Sequence, residues 1–324
     1  MSHEPSAFRP RFPWWGGDLQ TLANRLRGTT VDLAPHRSER LSFPMADGDT
    51  LLAMIDRPRD HGSERPLAIL IHGLTGDEDS IYMRSQSQLL LERGHAVLRL
   101  NLRGAGPSRA LCRGQYYAGR SQDFRELLTL LPAELSANGV VAVGYSLGGA
   151  MLLKYLGEEG SATPLRAAAT VCAPIDLSVT CRSIMRARNV VYHLHILREM
   201  KRDATGQGAE ISPAERAAIM SSRSVWDYDE RFIAPRHGFA GAEDYYERCK
   251  PLRFMAGIRV PTLVLGALDD PWVPGVVYEG YDWAGNPALT PLLPAAGGHV
   301  GFHDADTLQP WSDRVVVDFL GNNL

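Results

Sequence analysis

Gly139-Val-Val-Ala-Val143 runs into Gly144-Tyr145-Ser146-Leu147-Gly148 and then into the Ala/Leu-rich residues 150–155. The first piece is a short, unbroken apolar run rich in β-branched residues, which suits a strand buried on both faces. The last piece is a good helix former. A strand, a tight turn and a helix follow one another within seventeen residues, with a serine at the turn. A serine in so sharp a turn needs small neighbours, and a glycine stands two residues away on either side. Such a turn lifts the Oγ clear of the sheet and aims the helix N-terminus at charge developing beside it. The competing reading is a Gly-rich turn whose serine only caps the helix; the flanking strand and helix argue against it.

The same rhythm extends outward. Residues 66–71 (Pro-Leu-Ala-Ile-Leu-Ile) and 95–100 (His-Ala-Val-Leu-Arg-Leu) are further apolar runs, with a helical stretch over 82–93 between them, ended by Gly94. A helix is expected over 121–134 and another buried strand over 166–172. Upstream, two extended runs within 42–55 flank Ala46-Asp47-Gly48-Asp49, a hairpin signal. Strands alternating with helices predict an α/β fold with a mainly parallel central sheet flanked by helices. The alternation stops at Pro174 and resumes with strands at 260–265 and 289–293 and a closing amphipathic helix over 310–320. Residues 175–255 therefore read as a helical cap inserted after the sixth strand of a single domain spanning 1–324. The basic residues there, among them Arg182, Arg186, Arg188, Arg198, Lys201 and Arg202, read as its solvated face.

Composition narrows the function. The 324 residues are 44% hydrophobic and 22% charged, with 34 Lys plus Arg against 37 Asp plus Glu and a net charge of -3. That describes a globular chain with a sizeable core, and without a basic surplus nucleic acid is not expected as a partner. The four cysteines, Cys112, Cys172, Cys181 and Cys249, form no C-x-x-C pair and read as scattered thiols of a reducing compartment. No apolar run reaches the roughly 18 residues of a membrane span, and residues 1–22 contain no apolar stretch of the secretory kind. The expected setting is cytoplasmic.

A nucleophilic serine needs a base, and the base needs an orienting carboxylate. The strand-flanked G-x-S-x-G resembles the nucleophile turn of the α/β hydrolases, in which acid and then histidine follow the serine along the chain. Leu263-Val-Leu-Gly-Ala-Leu-Asp269-Asp270-Pro271 puts two acids just past a buried strand, and Ala296-Gly297-Gly298-His299-Val300-Gly301 puts a histidine on a Gly-flanked loop after another. The candidate triad is Ser146, Asp270 and His299. Asp270 is preferred to Asp269 for its spacing to Pro274, leaving Asp269 to cap the turn or bind the loop. His72-Gly73-Leu74-Thr75-Gly76 follows the first buried strand, where an α/β hydrolase supplies a second oxyanion donor. Leu74 N–H and Leu147 N–H are the candidates, and His72 braces their loop. His303 with His299 as a metal pair is the weaker reading, since Gly301 lies between them and no H-E-x-x-H is nearby. His193 and His195, two apart, face different sides of a helix.

Five further segments resemble one branch, the YheT-like hydrolases with their eukaryotic ABHD relatives and the yeast medium-chain ester synthases. They are Asp18-Leu-Gln-Thr-Leu22, Asn101-Leu-Arg-Gly104, Asp244-Tyr-Tyr-Glu-Arg-Cys249, Asp269-Asp270-Pro271 and Gly297-Gly298-His299-Val-Gly-Phe302. The resemblance implies a serine hydrolase acting on small-molecule carboxylic esters of short or medium acyl chain, with no metal or organic cofactor. Acyl transfer or thioester hydrolysis by the same triad stays open. The filled triad disfavours a non-catalytic binding protein of this fold. Two departures stand out: the family often has His where this chain has Asp18, and its eukaryotic members carry an N-terminal membrane anchor that these residues lack.

Overall fold

The apolar runs assemble into one eight-stranded sheet: β1 (Arg37–Pro44), β2 (Thr50–Arg57), β3 (Leu67–Ile71), β4 (Val97–Leu100), β5 (Val140–Tyr145), β6 (Leu165–Val171), β7 (Thr262–Leu265) and β8 (Leu289–Leu292). The computed structural model describes residues 7–26, 31–59 and 65–324; the start of the 1–22 stretch read above for a secretory signal lies outside the described residues. Across the sheet the order is β1-β2-β4-β3-β5-β6-β7-β8. β1 and β2 form the hairpin, β2 runs antiparallel to β4, and every pair from β4 to β8 is parallel. The sheet is mainly parallel, as the alternation of strands and helices requires.

All of β3 and β5 is buried, because helices cover both faces. The side-chain period of two divides each strand between two cores. Leu67, Ile69, Val140 and Ala142 pack with Phe124 and with Met151, Leu152 and Tyr155 of the helix Leu147–Glu159. Ala68, Leu70, Val141 and Val143 pack on the other side, with Leu90 of the helix Ile81–Glu92 and Val316 and Leu320 of the helix Trp311–Asn322. One expected helix is shorter than its sequence reading. The helix over 121–134 stops at Leu130 because Leu131 precedes Pro132 and takes an extended ψ of 132°; a separate turn, Ala133–Ser136, follows.

Between β6 and β7 the chain forms the helices Leu177–Ile184, Val190–Ala204, Pro213–Ser221 and Ala242–Cys249, with a π-helical turn at Asp229–Ile233. Their apolar faces share a third core, which meets the sheet domain at Ala118 and Ala150 and packs against Leu74, Leu147 and Trp272. Arg182, Arg186, Arg188, Arg198 and Arg202 are exposed, while Lys201 is half-buried and donates to the Met220 and Ser222 carbonyls. His193 is buried and accepts the Val225 N–H, whereas His195, half-exposed, meets Arg25. The two histidines do face different sides.

Candidate active site

β5 ends at Tyr145, and Ser146 turns the chain into the helix Leu147–Glu159 with φ 48° and ψ -121°. A residue with a Cβ rarely adopts this backbone, and such strain concentrates at functional turns. The Ser146 N–H donates to the Val171 carbonyl at the end of β6, which holds the turn down. A Cβ at Gly148 would stand 2.4 Å from the His72 carbonyl oxygen, and one at Gly144 would stand 2.7 Å from the Gly148 oxygen. The turn closes only because both positions lack side chains.

The loops after β7 and β8 bring the other two residues to the serine. His299 Nε2 lies 2.9 Å from Ser146 Oγ, and its Nδ1 lies 2.7 Å from Asp270 Oδ2. Asp270 and His299 are 6% and 7% exposed, so the relay is shielded from water. The second Asp270 oxygen accepts the N–H groups of Trp272 and Val273, at 2.8 and 3.0 Å. This turn fixes the carboxylate plane. Asp269 points elsewhere and accepts the Gly298 N–H at 2.9 Å. Of the two acids, Asp270 is the one that meets the imidazole.

The loop after β3 lies against the serine: a Cβ on Gly73 would stand 3.0 Å from Ser146 Cβ. The Gly73 and Thr75 N–H groups are taken by the Tyr82 and Tyr116 hydroxyls. No intramolecular acceptor is found for the N–H groups of Leu74 and Leu147 among the described residues. His72 is fully buried, with Nδ1 on the Gly73 carbonyl and Nε2 accepting the Leu102 N–H. Desolvation lowers its pKa to about 4, so the ring is neutral. It braces the loop.

Above Ser146 opens a pocket of about 1010 Å³, mouth included. Leu74 and Leu147 flank its floor, and its walls come largely from the helices between β6 and β7, with Ile184, Ile196, Met200 and Val225 among them.

Residues 66–306 match the family model for the alpha/beta hydrolase fold. The chain belongs to the α/β-hydrolase fold family. Within this family it falls in the branch of YheT of Escherichia coli (strain K12), to which it is 31% identical over 93% of its length and 89% of that protein. The medium-chain fatty acid ethyl ester synthase/esterase 2 of Saccharomyces cerevisiae is 29% identical over 78% of this chain and 61% of its own. Human phospholipase ABHD3 is 26% identical over 99% of this chain and 80% of its own. Among solved structures, the Pyrococcus furiosus esterase Pf2001 shares the fold, with a TM-score of 0.58 at 18% identity over 91% of this chain and 95% of that one. Among the described residues no helix is long and apolar enough to cross a membrane.

Two residues beside this α/β-hydrolase site were not legible in the sequence. The Trp272 ring lies on the His299 imidazole, centroids 4.3 Å apart and planes 30° from parallel; its only signal was its position two beyond Asp270. Cys172, at the end of β6, accepts the Val300 N–H from behind the histidine loop. Its sulfur, Asp270 and His299 offer donor atoms within 4.8 Å of one another. They suit a metal poorly, because burial pushes the Cys172 thiol well above its ordinary range and keeps it uncharged, while Asp270 and His299 already bond each other. His303 does not join that group.

Proposed function

We propose that the protein is a serine esterase that hydrolyses carboxylic esters of short to medium acyl chain through an acyl-enzyme on Ser146. The observation that carries this reading is the hydrogen-bonded series Asp270–His299–Ser146 at the floor of an apolar pocket. His299 Nε2 takes the Ser146 proton as Oγ attacks the ester carbonyl, and Asp270 holds the proton on Nδ1 and stabilises the imidazolium. The tetrahedral oxyanion is received by Leu74 and Leu147 N–H, each worth about 3 kcal/mol of barrier. His299 returns the proton to the leaving alcohol and then activates water to release the acid. No step in this sequence calls on a metal or organic cofactor.

In this reading residues 175–255 form a cap within one domain and supply the acyl pocket. The names of the relatives support ester chemistry: YheT is named as an esterase, and the yeast protein as both synthase and esterase. The word synthase favours one alternative, transfer of the acyl group to an alcohol, which uses the same acyl-enzyme. A cytoplasmic setting accords with four buried, free cysteines.

The test is a panel of p-nitrophenyl esters from acetyl to palmitoyl, run with and without added ethanol, on wild type and Ser146→Ala. A peak at short or medium chains, abolished in the folded variant, supports the proposal. A tenth of wild-type rate surviving in Ser146→Ala refutes it, and ethyl ester formed in preference to acid turns hydrolysis into transfer.

A further inference from the structure

The Gly297–Phe302 loop adopts a conformation that its own residues do not favour. Gly298 has φ +61°, and Val300 and Phe302, which carry β-carbons, have φ 56° and 48°. Backbone of this kind persists only where its surroundings over-determine it. From one side Asp269 accepts the Gly298 N–H. The other side is held by a segment with no part in the hydrolytic steps, the helix Gly17–Leu26, whose Asp18-Leu-Gln-Thr-Leu22 motif was conspicuous in the sequence without an assigned role.

Three side chains of this helix bond this main chain, those at positions 21 and 24 within the loop and that at position 20 at His303 just beyond it. Thr21 Oγ1 accepts the His299 N–H at 2.8 Å and donates to the Gly17 carbonyl at 2.7 Å. Gln20, fully buried, accepts the His303 N–H at 2.7 Å through Oε1 and reaches the His303 carbonyl at 3.2 Å through Nε2. Asn24 Nδ2 donates to the Val300 carbonyl at 2.9 Å. The approach depends on the paired glycines: a Cβ on Gly298 would stand 2.4 Å from the Gly17 oxygen, and one on Gly301 would stand 2.4 Å from the Gln20 oxygen. The Asp-Leu-Gln-Thr-Leu and Gly-Gly-His-x-Gly-Phe motifs are thus two halves of one contact.

We infer that Thr21, with Gln20 and Asn24, is a positioning residue for catalysis: the N-terminal helix is a strap that sets where the His299 imidazole stands between Asp270 and Ser146. The inference rests on the reading of His299 as the base. Thr21 touches no reacting atom. It acts on the one main-chain N–H nearest the imidazole, and an error of about 1 Å in a reacting group costs on the order of 100-fold in rate. Ground-state binding takes place in the pocket above and does not pass through this contact, so the loss belongs to kcat and not to KM.

The experiment compares kcat and KM for p-nitrophenyl butyrate, fluorophosphonate labelling rate and Tm in wild type, Thr21→Val, Thr21→Ser, Asn24→Ala, Leu19→Ser and Ser146→Ala. Thr21→Val keeps the volume and removes the acceptor. Its kcat and labelling rate are expected to fall about 10- to 100-fold with KM within about threefold. Thr21→Ser, which restores the acceptor, should recover to within about threefold of wild type. Leu19, exposed on the same helix, serves as the control, and Leu19→Ser should leave both constants unchanged. A folded Thr21→Val with kcat within about twofold of wild type, or with the loss confined to KM, overturns the inference. Should Thr21→Val not fold, Asn24→Ala at its half-exposed position decides: a kcat loss of about threefold or more supports the strap, and an unchanged kcat overturns it. Ser146→Ala separates the two levels. If it retains activity the triad reading fails, whereas an inactive Ser146→Ala beside a fully active Thr21→Val sinks the strap alone.

Discussion

Replacing each of the neighbouring acids by asparagine tests the relay at its least redundant point. Asp270 makes two kinds of contact: Oδ1 accepts two main-chain N–H groups, and Oδ2 faces His299 Nδ1 at 2.7 Å. In Asp270→Asn the amide oxygen must stay on the Trp272 and Val273 N–H groups, since an NH₂ there would confront two donors. The amide NH₂ then faces the imidazole and donates to Nδ1. That forces the remaining ring proton onto Nε2, where it points at Ser146 Oγ, and the ring can no longer accept the serine proton. A wrong tautomer of this kind costs about 10⁴ in kcat, or roughly 5.5 kcal/mol at 1.36 per decade. Asp269 accepts the Gly298 N–H, and an asparagine oxygen can still accept it; the loss in Asp269→Asn should stay within about tenfold. Steady-state kcat on p-nitrophenyl butyrate, with Tm measured alongside, reads the difference. Equal losses at the two positions, or a larger loss at 269, would refute the assignment and the tautomer argument with it.

Trp272→Leu removes the aromatic face that lies 4.3 Å from His299; an aromatic face against a cation is worth about 0.5–2 kcal/mol, so kcat should drop roughly 2- to 30-fold, with Trp272→Phe between, and an unchanged Trp272→Leu would show the stacking to be idle. Met200→Trp fills the pocket wall: rates on octanoyl and longer esters should fall about tenfold or more relative to acetyl, whereas an unmoved chain-length profile would mean the acyl group lies elsewhere. Burial pushes the Asp229 carboxyl up to about 7 beside the Tyr246 hydroxyl. The native state therefore keeps a proton that the unfolded chain releases near pH 4, and stability from this group is lost as pH rises through that higher value. Asp229→Asn cannot ionise, so its Tm should gain on wild type between about pH 5 and pH 8; a Tm difference constant across that range would contradict the shift.

The local pattern of the chain carried the α/β architecture. Fully apolar runs such as residues 140–143 have to be covered on both faces, and helices between strands do the covering, so β3 to β8 follow from the sequence with only their ends in question. Where the reading overshot, at 121–134, the determinant was equally local: Pro132 imposes an extended backbone on Leu131. The glycines around Ser146 and His299 were legible as places where main chains come close, because lack of a side chain is a property of the residue itself. What they come close to was not. Gly148 is empty for the His72 carbonyl and Gly298 for the Gly17 carbonyl, partners far away along the chain. The choice of Asp270 over Asp269 turns on which carboxylate the chain aims at an imidazole 29 residues on. Trp272 over that ring and Thr21 beneath its N–H belong to the same kind. The sequence by itself determined which strands build the parallel sheet and which residues have reactive chemistry, since propensity, apolar periodicity and side-chain type act over a few neighbouring positions. Only the tertiary structure decided which oxygen meets which nitrogen, because angstrom distances between separated segments are set by how whole layers pack.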